Sequence, residues 1–317
     1  MSDSERILNM RAPVVVFVYK RLQHTRKTIE SLMKNTLASE TDVYIYSDGY
    51  KGDKDYNDVI AVRNYIGTLK KAHPFNKLEV IEAPKNQGLA NSVIKGTTEV
   101  INKYGKIISV EDDLLLSPYF LEYMNKALDI YQNEPKVWSI GSHSAKFPFM
   151  NSYDYDVFFC HRASSWGWGT WLDRWKKVDW NVSDYNKFKL NLRERKKLNL
   201  GGDDMASLLD RQMCGLKDSW AIRWCYAQYK DESYCVRPVE PMIINIGQDG
   251  SGTHCTTNMY SDAVMSEKKA WKFPNFFEDK EIEREFANAR KTSRIKLLGS
   301  FVLFAVFKGK IYKGRKK

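Results

Sequence analysis

Two kinds of apolar segment alternate along the first third of the chain, and this alternation constrains the fold more than any other feature. Four short runs rich in β-branched and aromatic residues are typical of buried strands, and they cover residues 13–19, 43–46, 78–81 and 107–110. Longer segments with apolar residues at helical spacing lie between them, at 25–35, 55–72 and 89–104. This β-α-β-α-β-α-β order predicts an α/β fold, in which a mostly parallel sheet carries helices on its faces.

Each predicted strand is followed by polar side chains. In chain order they are Arg21, Asp48, the pair Asn86 and Gln87, and the acids Glu111, Asp112 and Asp113. Taken singly, Asp48-Gly49 is typical of a turn and Asn86-Gln87-Gly88 of a loop. Because ligands bind beyond the carboxyl ends of the strands in α/β sheets, we expect the four groups to line one crevice.

Three consecutive acids at the end of a buried strand are the most specific of these groups. Glu111, Asp112 and Asp113 repel one another, and burial near the core adds a desolvation cost. A divalent cation would relieve the repulsion, and hard carboxylate oxygens suit Mg²⁺ or Mn²⁺ beside a phosphorylated substrate. A solvated acidic turn is the alternative interpretation. The apolar strand before the acids favours the metal site.

Further elements are predicted in the second half of the chain. They are a strand at 137–141 and helices at 119–131, 203–215 and 219–229. Asp218 stands directly before the last of these helices. It could cap that helix, or it could serve a chemical role at the same place.

Residues 163–171 alternate Gly with Trp. Gly167 and Trp168 could therefore let a ligand approach the backbone between aromatic faces. An aromatic cluster that fills the core accounts for the same pattern, because aromatic side chains also dominate core packing. The sequence leaves both interpretations open.

A polar, glycine-rich segment at 245–254 is suited to folding over phosphates, because its backbone N–H groups are accessible. It lacks the spacing and the Lys of a P-loop. Gly250, Ser251 and His254 are its candidate ligand contacts. A single His is ordinarily structural or solvated, whereas beside a diphosphate and a metal it could contact either.

The net charge of +11 belongs to the end of the chain. Residues 291–317 contain nine Lys or Arg and no acid, which leaves +2 for residues 1–290. The body therefore lacks the basic character typical of nucleic-acid-binding proteins, and we expect no nucleic-acid partner.

The C-terminal segment 279–317 combines a charged helical stretch, an apolar run at 297–307 and a basic end. The apolar run is shorter than the roughly 20 residues that span a bilayer. An apolar segment flanked by cations suits the interface of an anionic leaflet. A core helix followed by a basic end is the alternative, and the six cations among the last ten residues favour membrane association.

Cysteine usage and the N-terminus indicate the compartment. The five Cys include no CxxC pair, which favours free thiols in a reducing environment. Residues 1–11 contain no apolar signal-peptide core. We therefore expect a cytoplasmic protein that is peripheral at the inner face of the plasma membrane.

The segment from Ile108 to Tyr123 resembles the metal-site segment of the N-acetylglucosaminyltransferase I family of animal Golgi enzymes, with Glu-Asp-Asp-Leu after a strand and Pro-Tyr-Phe-Leu-Glu-Tyr beyond it. Shorter elements resemble that family in the same order: Val14 to Arg21, Tyr46-Ser47-Asp48-Gly49, Gly167-Trp168 and Asp218-Ser219-Trp220. Asn86-Gln87-Gly88 and residues 249–254 look like elements of bacterial family 2 glycosyltransferases. The resemblance covers about residues 13–254. Lys20 and Ser219 stand where the Golgi family has acids.

The resemblance implies a GT-A fold and an inverting, metal-dependent glycosyltransferase. The enzyme would move a sugar, such as N-acetylglucosamine or another hexose, from a nucleotide-diphosphate sugar to a hydroxyl of a glycan acceptor. Residues 1–135 would form the nucleotide-sugar-binding half, 136–278 the acceptor-binding half and 279–317 the membrane-associating tail. A UDP-sugar is the expected donor, and a lipid-linked saccharide of bacterial O-antigen or capsule synthesis is the expected acceptor.

The resemblance also implies a role for each candidate residue. Asp113 would hold Mn²⁺ or Mg²⁺, and Asp218 would be the catalytic base. Gly167 and Trp168 would support the acceptor or the sugar. The donor would be contacted by Arg21, Asp48, Asn86, Gln87, Glu111, Asp112, Gly250, Ser251 and His254.

Three other functions compete with this one. A retaining GT-A glycosyltransferase would share these features and differ in the stereochemistry of its product. A sugar nucleotidyltransferase normally has a Gly-rich loop after the first strand, whereas residues 19–23 contain no Gly. A non-catalytic glycan-binding protein would keep the Gly/Trp segment but would not need both the acid triplet and Asp218.

Overall fold

A mixed β-sheet organises the chain in the computed structural model, which describes residues 11–250 and 264–306. Its strands are β1 Val14–Val18, β2 Asp42–Ser47, β3 Lys77–Glu82, β4 Lys106–Glu111, β6 Val137–Gly141, β7 Val157–Cys160, β8 Trp168–Trp171 and β9 Tyr234–Pro238. A second, two-stranded antiparallel sheet pairs β5 Leu114–Leu116 with β10 Ile243–Asn245. Across the large sheet the order is β3-β2-β1-β4-β8-β6-β9-β7, and β7 and β8 run opposite to the other six strands.

Helices cover both faces of the sheet. Those of the first half are α1 Leu22–Met33, α2 Asp53–Leu69, α3 Leu89–Tyr104 and α4 Phe120–Ile130. The second half contributes α5 Leu172–Lys176, α6 Tyr185–Phe188, α7 Leu192–Leu198, α8 Met205–Met213, α9 Trp220–Lys230, α10 Lys280–Asn288 and α11 Arg294–Ser300. A π-helical turn, Phe301–Val306, continues α11.

The predicted α/β fold is confirmed, and the local reasons are visible in β1 and α3. All five residues of β1 are buried, and four are Val, whose branched side chain suits a pleated, packed surface. Helix α3 ends at Gly105, whose left-handed φ of +74° lets its N–H bond Ile101 O at 2.8 Å. The four predicted strands and three predicted helices of the first half form within a few residues of their expected bounds.

Successive residues of β1 supply the two cores. Val14 and Val16 face one core, which includes residues of α1, α2 and α4. Val15 and Phe17 face the other, which includes residues of α3, α8 and α9 and most tryptophans of the second half, namely Trp138, Trp168, Trp175, Trp220 and Trp224. Because both faces of the sheet are covered at β1, the sequence of this strand is a continuous apolar run in which polar residues do not alternate with apolar ones.

Beyond the acid triplet the structure contains elements that the sequence did not predict, among them β5, β7, β8, β9 and β10. The helix expected soon after the acid triplet is preceded by the short strand β5. Residues 168–171, for which the sequence left a ligand-facing and a core-filling interpretation open, form β8 between β4 and β6. Both strands are too short and too irregular in composition for a clear period-2 pattern.

The segment expected as a membrane-associating tail begins inside the folded body. Ile282 and Phe286 of α10 are buried in a third cluster with Phe147 and Phe158. The described part of the tail that extends beyond α10 is therefore 289–306, and residues 307–317 lie outside the described residues. Within the described ranges, no helix is both long enough and apolar enough to cross a membrane.

Candidate active site at the carboxyl edge of the sheet

The ends of β1 and β4 bring Arg21 to the acid triplet. The two strands are parallel neighbours, with Phe17 paired to Glu111, so the residues that follow them meet. Arg21 Nη2 donates to Asp112 Oδ1 at 2.5 Å and to Asp113 Oδ2 at 2.8 Å. Both aspartates are buried. One guanidinium thus binds two buried carboxylates at the carboxyl ends of β1 and β4, where the crevice was expected.

Glu111 experiences the repulsion expected from the acid triplet. Burial, followed by the charges of Asp113 and Asp112, raises the pKa of Glu111 to about 8. Arg21 and a hydrogen bond from Trp220 oppose that rise only in part. These effects favour the protonated form of Glu111, and a further cation beside the aspartates would favour its ionised form.

Pairing of β5 with β10 places residues 245–247 on the acid triplet. Ile246 N donates to Asp113 O at 2.8 Å, and Asn245 Nδ2 reaches Asp113 Oδ1 at 3.5 Å. Asn245 Oδ1 accepts from Gly247 N at 2.9 Å. A Cβ on Gly247 would overlap the Asp113 carboxylate and lie 2.7 Å from Arg21 Nη1. Glycine is therefore required where this segment meets the acids.

His24 fixes the same segment from the other side. It lies in the first turn of α1, where its Nε2 is 3.1 Å from Ile246 O and 3.2 Å from Asp249 Oδ2. Sequence reasoning missed His24, and it named Asn245, Gly247 and Trp220 only as members of longer segments. His24 follows Arg21 by three residues at the start of a helix, and this spacing could have indicated that the two side chains lie on the same side of it.

Asp48 directly follows β2, as expected, but its carboxylate is hydrogen-bonded within the protein. Oδ1 accepts from Gly49 N and Gln87 N, each at 2.8 Å. Oδ2 accepts from Asn86 Nδ2 and Gly88 N, each at 3.0 Å. The structure thus brings Asp48, Asn86 and Gln87 together, in contact with one another.

Asp218 lies just before α9 and does not cap it. Ser219 is the cap, since its Oγ accepts from Ile222 N at 3.4 Å. The Asp218 side chain is 61% exposed, and its Oδ1 lies 3.4 Å from Arg223 Nη2. Trp220, two residues on, hydrogen-bonds to Glu111, so the start of α9 adjoins the acid triplet.

Trp168 belongs to the core. It is 1% exposed, and its ring centroid lies 5.0 Å from that of Trp220 and 5.7 Å from those of Trp175 and Trp224. The Trp168 ring therefore cannot contact an acceptor directly, and the interpretation as a core-filling side chain applies to it. Trp168 instead packs against the ring of Trp220.

Gly167 forms the turn into β8. Its φ is +57°, in the left-handed region that favours glycine, and a Cβ would overlap Ser142 Oγ. Ser142 Oγ donates to Gly167 O at 2.7 Å. The structure gives Gly167 a local conformational role.

The predicted loop at 245–254 is described only as far as residue 250. Gly250 has a φ of +86°, and space is open where its Cβ would lie. Ser251 and His254 lie outside the described residues.

The residues present fit a divalent cation held by one carboxylate. Asp113 Oδ1 accepts a long hydrogen bond, and burial together with the charges of Asp113 and Asp112 raises the pKa of Glu111. Within residues 11–250 and 264–306, no three His, Cys, Asp or Glu side chains form a ready metal-binding group. The remaining ligands would come from a bound diphosphate and water, as is usual for Mg²⁺.

Comparison with known proteins gives only distant likenesses. No protein-family model matches the sequence, and no curated protein matches it significantly. Similar solved structures include S. aureus TarS 1-349, with 11% identity, 74% of this chain covered and a TM-score of 0.43. The mannosyltransferase PcManGT from Pyrobaculum calidifontis, in complex with GDP-Man and Mn2+, has 15% identity, 59% of this chain covered and a TM-score of 0.38.

The glycosyltransferase GlyE of Streptococcus pneumoniae TIGR4 has 8% identity, 72% of this chain covered and a TM-score of 0.38. The chain spans 59%, 56% and 45% of the lengths of the TarS, PcManGT and GlyE chains.

Proposed function

We propose that the chain is a nucleotide-sugar glycosyltransferase with a GT-A fold. The observation that carries the proposal is the convergence of the acid triplet, Arg21 and the start of α9 at one edge of a parallel sheet. In that arrangement an arginine, and aspartates that could hold a divalent cation, lie near an exposed carboxylate, Asp218. Transfer from a diphosphate leaving group to a hydroxyl needs both.

The donor side of the site is formed by Arg21, Asp113 and the Gly247 segment. Arg21 Nη1 is buried without a hydrogen-bond partner in the described structure, so it can donate to an incoming phosphate oxygen. Asp113 would hold Mn²⁺ or Mg²⁺, which supplies positive charge against the leaving diphosphate when bound. Gly247 lets the backbone close on this surface.

Asp218 is the base in this proposal. Its exposed carboxylate can accept the proton of the acceptor hydroxyl as that oxygen attacks the anomeric carbon. Attack from the side opposite the leaving diphosphate inverts the anomeric configuration. The product stereochemistry therefore separates this mechanism from a retaining one.

The proposed acceptor is a lipid-linked saccharide at the inner face of a bacterial plasma membrane, as in O-antigen or capsule synthesis. Exposed apolar side chains of 295–302, namely Ile295, Leu298 and Val302, recur on one side of the described tail. Six cations follow them in the sequence at 308–317. An apolar face beside a basic segment favours binding to an anionic leaflet.

The glycan-binding alternative loses its main support in the structure. It relied on the Gly/Trp segment as a ligand surface, and Trp168 is a core residue. Burial of two carboxylates beside a third at a strand end, by contrast, costs stability unless it serves a ligand.

Donor binding and hydrolysis across UDP-, GDP- and dTDP-sugars, with Mn²⁺ or with EDTA, test the proposal. We expect one donor to bind and to be hydrolysed slowly in a metal-dependent way. The matched control is Asp113→Asn, which should lose the response to metal. Folded protein that binds no member of the panel under either condition would contradict the proposal.

A further inference from the structure

The segment 186–200, which precedes α8, exposes apolar side chains on the folded body. It contains the end of α6, all of α7 and the turn that follows it. Leu190 is 56% exposed, Leu192 is 67% exposed and Leu200 is 39% exposed. A single exposed leucine is common on a soluble protein, whereas several in one short segment, rimmed by polar residues, mark an interaction surface.

The same segment is strongly basic. Residues 186–200 contain six Lys or Arg and one acid, Glu194. Arg195 is buried against Asp210, and Glu194 pairs with Lys197 at 3.2 Å. The exposed cations outside these two pairs are Lys187, Arg193 and Lys196. Positive charge therefore surrounds the exposed leucines.

Local structure keeps the leucines in solvent. Phe188 and Leu198 are buried and attach the two ends of α7 and its preceding turn to the core. Asn191 caps α7, since its side chain accepts from the N–H of residue 194 at 3.2 Å. Leu192 begins the helix, and Lys196 follows four residues later on the same side. An apolar side chain and a cation thus share one side of α7.

The described part of the C-terminal tail lies beside this segment. The Arg195 guanidinium carbon is 5.8 Å from the ring centre of Phe188 and 4.9 Å from that of Phe301. Val302, next to Phe301, is exposed. The 186–200 segment and the tail therefore meet at one guanidinium, and their exposed apolar side chains belong to one region of the surface.

The chemistry of this surface favours a lipid leaflet over a second copy of the chain. If two copies met symmetrically through it, Lys187, Arg193 and Lys196 of each copy would approach those of the other, and like charges repel. An anionic leaflet instead offers negative head groups to the cations and an apolar interior to the leucines.

We propose that the 186–200 segment is a membrane-contact surface of the folded body, with Leu190 and Leu192 entering an anionic leaflet and the surrounding cations binding its head groups. This surface is separate from the basic end at 308–317 and acts together with it. Stable attachment of a peripheral protein takes two such contributions, because one alone gives marginal, reversible binding. Delivery of a lipid-linked acceptor at this surface rests on the proposed function, whereas membrane binding does not.

Helix α8 connects this region to the candidate site. Near its start, Ser207 bonds to Ser300 of the tail. Near its end, Gln212 Oε1 accepts from Ser219 N at 2.6 Å, directly after Asp218. Ser207 and Gln212 are about 8 Å apart along the helix axis. Attachment at this surface therefore orients the start of α9 relative to the leaflet.

Co-sedimentation of the full chain with vesicles of phosphatidylglycerol and phosphatidylcholine tests the leucines. A variant with Leu190→Ser and Leu192→Ser should partition about tenfold less or weaker still, because two leucines no longer enter the leaflet. Ile130→Ser is the matched control, since Ile130 is 53% exposed at the end of α4 and should leave partition unchanged. All three side chains are exposed, so the urea midpoints of both variants should equal that of wild type.

A second pair of variants tests the cations. Arg193→Gln with Lys196→Gln should weaken binding to the same vesicles about tenfold or more, and should leave binding to phosphatidylcholine alone unchanged. The control is Lys70→Gln with Lys71→Gln, which removes two exposed cations directly after α2 and should change neither. Amides of 186–200 should also exchange more slowly when the anionic vesicles are added to wild type.

Equal partition of wild type and the leucine variant would overturn the proposal. A lipid-free dimer, detected by sedimentation velocity, that dissociates in the leucine variant would assign the surface to a second copy of the chain instead. The vesicle measurements use no nucleotide sugar, so they judge membrane contact separately from the transferase proposal. Failure of that proposal would show as absence of donor binding by the wild type.

Discussion

Asp218 is the residue on which the proposed chemistry depends most directly. Asp218→Asn removes the base but changes little of the packing, because the side chain is 61% exposed. We expect transfer to fall by about 10²–10⁴ while donor affinity stays the same. Turnover assays and calorimetric titration with the nucleoside diphosphate measure the two quantities.

The matched control for this variant is Asp173→Asn. Asp173 is 63% exposed and pairs with an arginine, Arg174, as Asp218 pairs with Arg223. It lies beyond β8 at the other edge of the sheet, so its loss should leave transfer unchanged. Lost donor binding in Asp218→Asn would show that Asp218 belongs to the donor site instead.

His143 makes the folded state sensitive to acid. Burial, followed by the charges of Arg237 and Arg290, lowers its pKa from 6.5 to about 3. Below pH 6.5 the unfolded chain binds a proton at this histidine that the folded chain does not bind, so stability falls as pH decreases. Between pH 7 and 5 the loss from this group is about 2 kcal/mol.

His143→Asn should therefore flatten the dependence of unfolding free energy on pH between 7 and 5. Urea denaturation at several pH values measures it. His73→Asn is the control, because His73 lies in the loop before β3, away from this arginine pair. An unchanged slope in His143→Asn would mean that the imidazole is charged in the folded protein.

At the scale of elements, a buried ion pair joins α7 to α8. Arg195 binds Asp210 through two hydrogen bonds of 2.9 and 2.7 Å, and Tyr185 of α6 donates to the same carboxylate at 3.0 Å. Asp210 is fully buried. Its replacement would leave a buried guanidinium without its carboxylate.

Asp210→Asn should lower the unfolding free energy by about 3–5 kcal/mol. The control is Lys95→Ala, which breaks an exposed pair with Glu99 at 4.0 Å and should cost about 0.5 kcal/mol or less. Urea denaturation compares the two. Equal effects would mean that the α7–α8 pair is solvated in solution.

The same elements show where sequence patterns have predictive power. Helix α3 forms at its predicted bounds because a glycine precedes it, a glycine follows it and its apolar residues keep helical spacing. Strands β5 and β10 have three residues each and pair across more than a hundred positions. No pattern in the neighbouring sequence predicts such a pairing, although it places Asn245 and Gly247 beside the acid triplet.

At the scale of the whole molecule, the C-terminal segment offers a test of membrane binding. The turn 301–306 packs on α8, with Ser300 bonded to Ser207 and Phe301 beneath the Arg195 guanidinium at 4.9 Å. Truncation after residue 306 keeps this packing and removes six cations. Each cation near an anionic leaflet contributes about 1 kcal/mol.

We expect the truncated protein to leave anionic vesicles in a sedimentation assay while it keeps transfer to a soluble acceptor. Neutral vesicles and raised salt are the matched conditions, since both weaken the electrostatic contribution. A further control neutralises Lys70 and Lys71 on the body, which should not change sedimentation. Equal sedimentation of full-length and truncated protein would contradict a role for the basic end.

The sequence by itself determined the α/β order, the buried strand before the acid triplet and the place of polar residues at strand ends. These features depend on periodicity and composition within short segments, which local sequence records. Only the tertiary structure decided how those residues are used. It paired Arg21 with acids 91 and 92 positions away, placed Trp168 in the core and filled the Asp48 carboxylate with internal donors. The physical reason is that a side chain's hydrogen bonds and burial depend on which distant segments pack beside it, and no period along the chain encodes that choice.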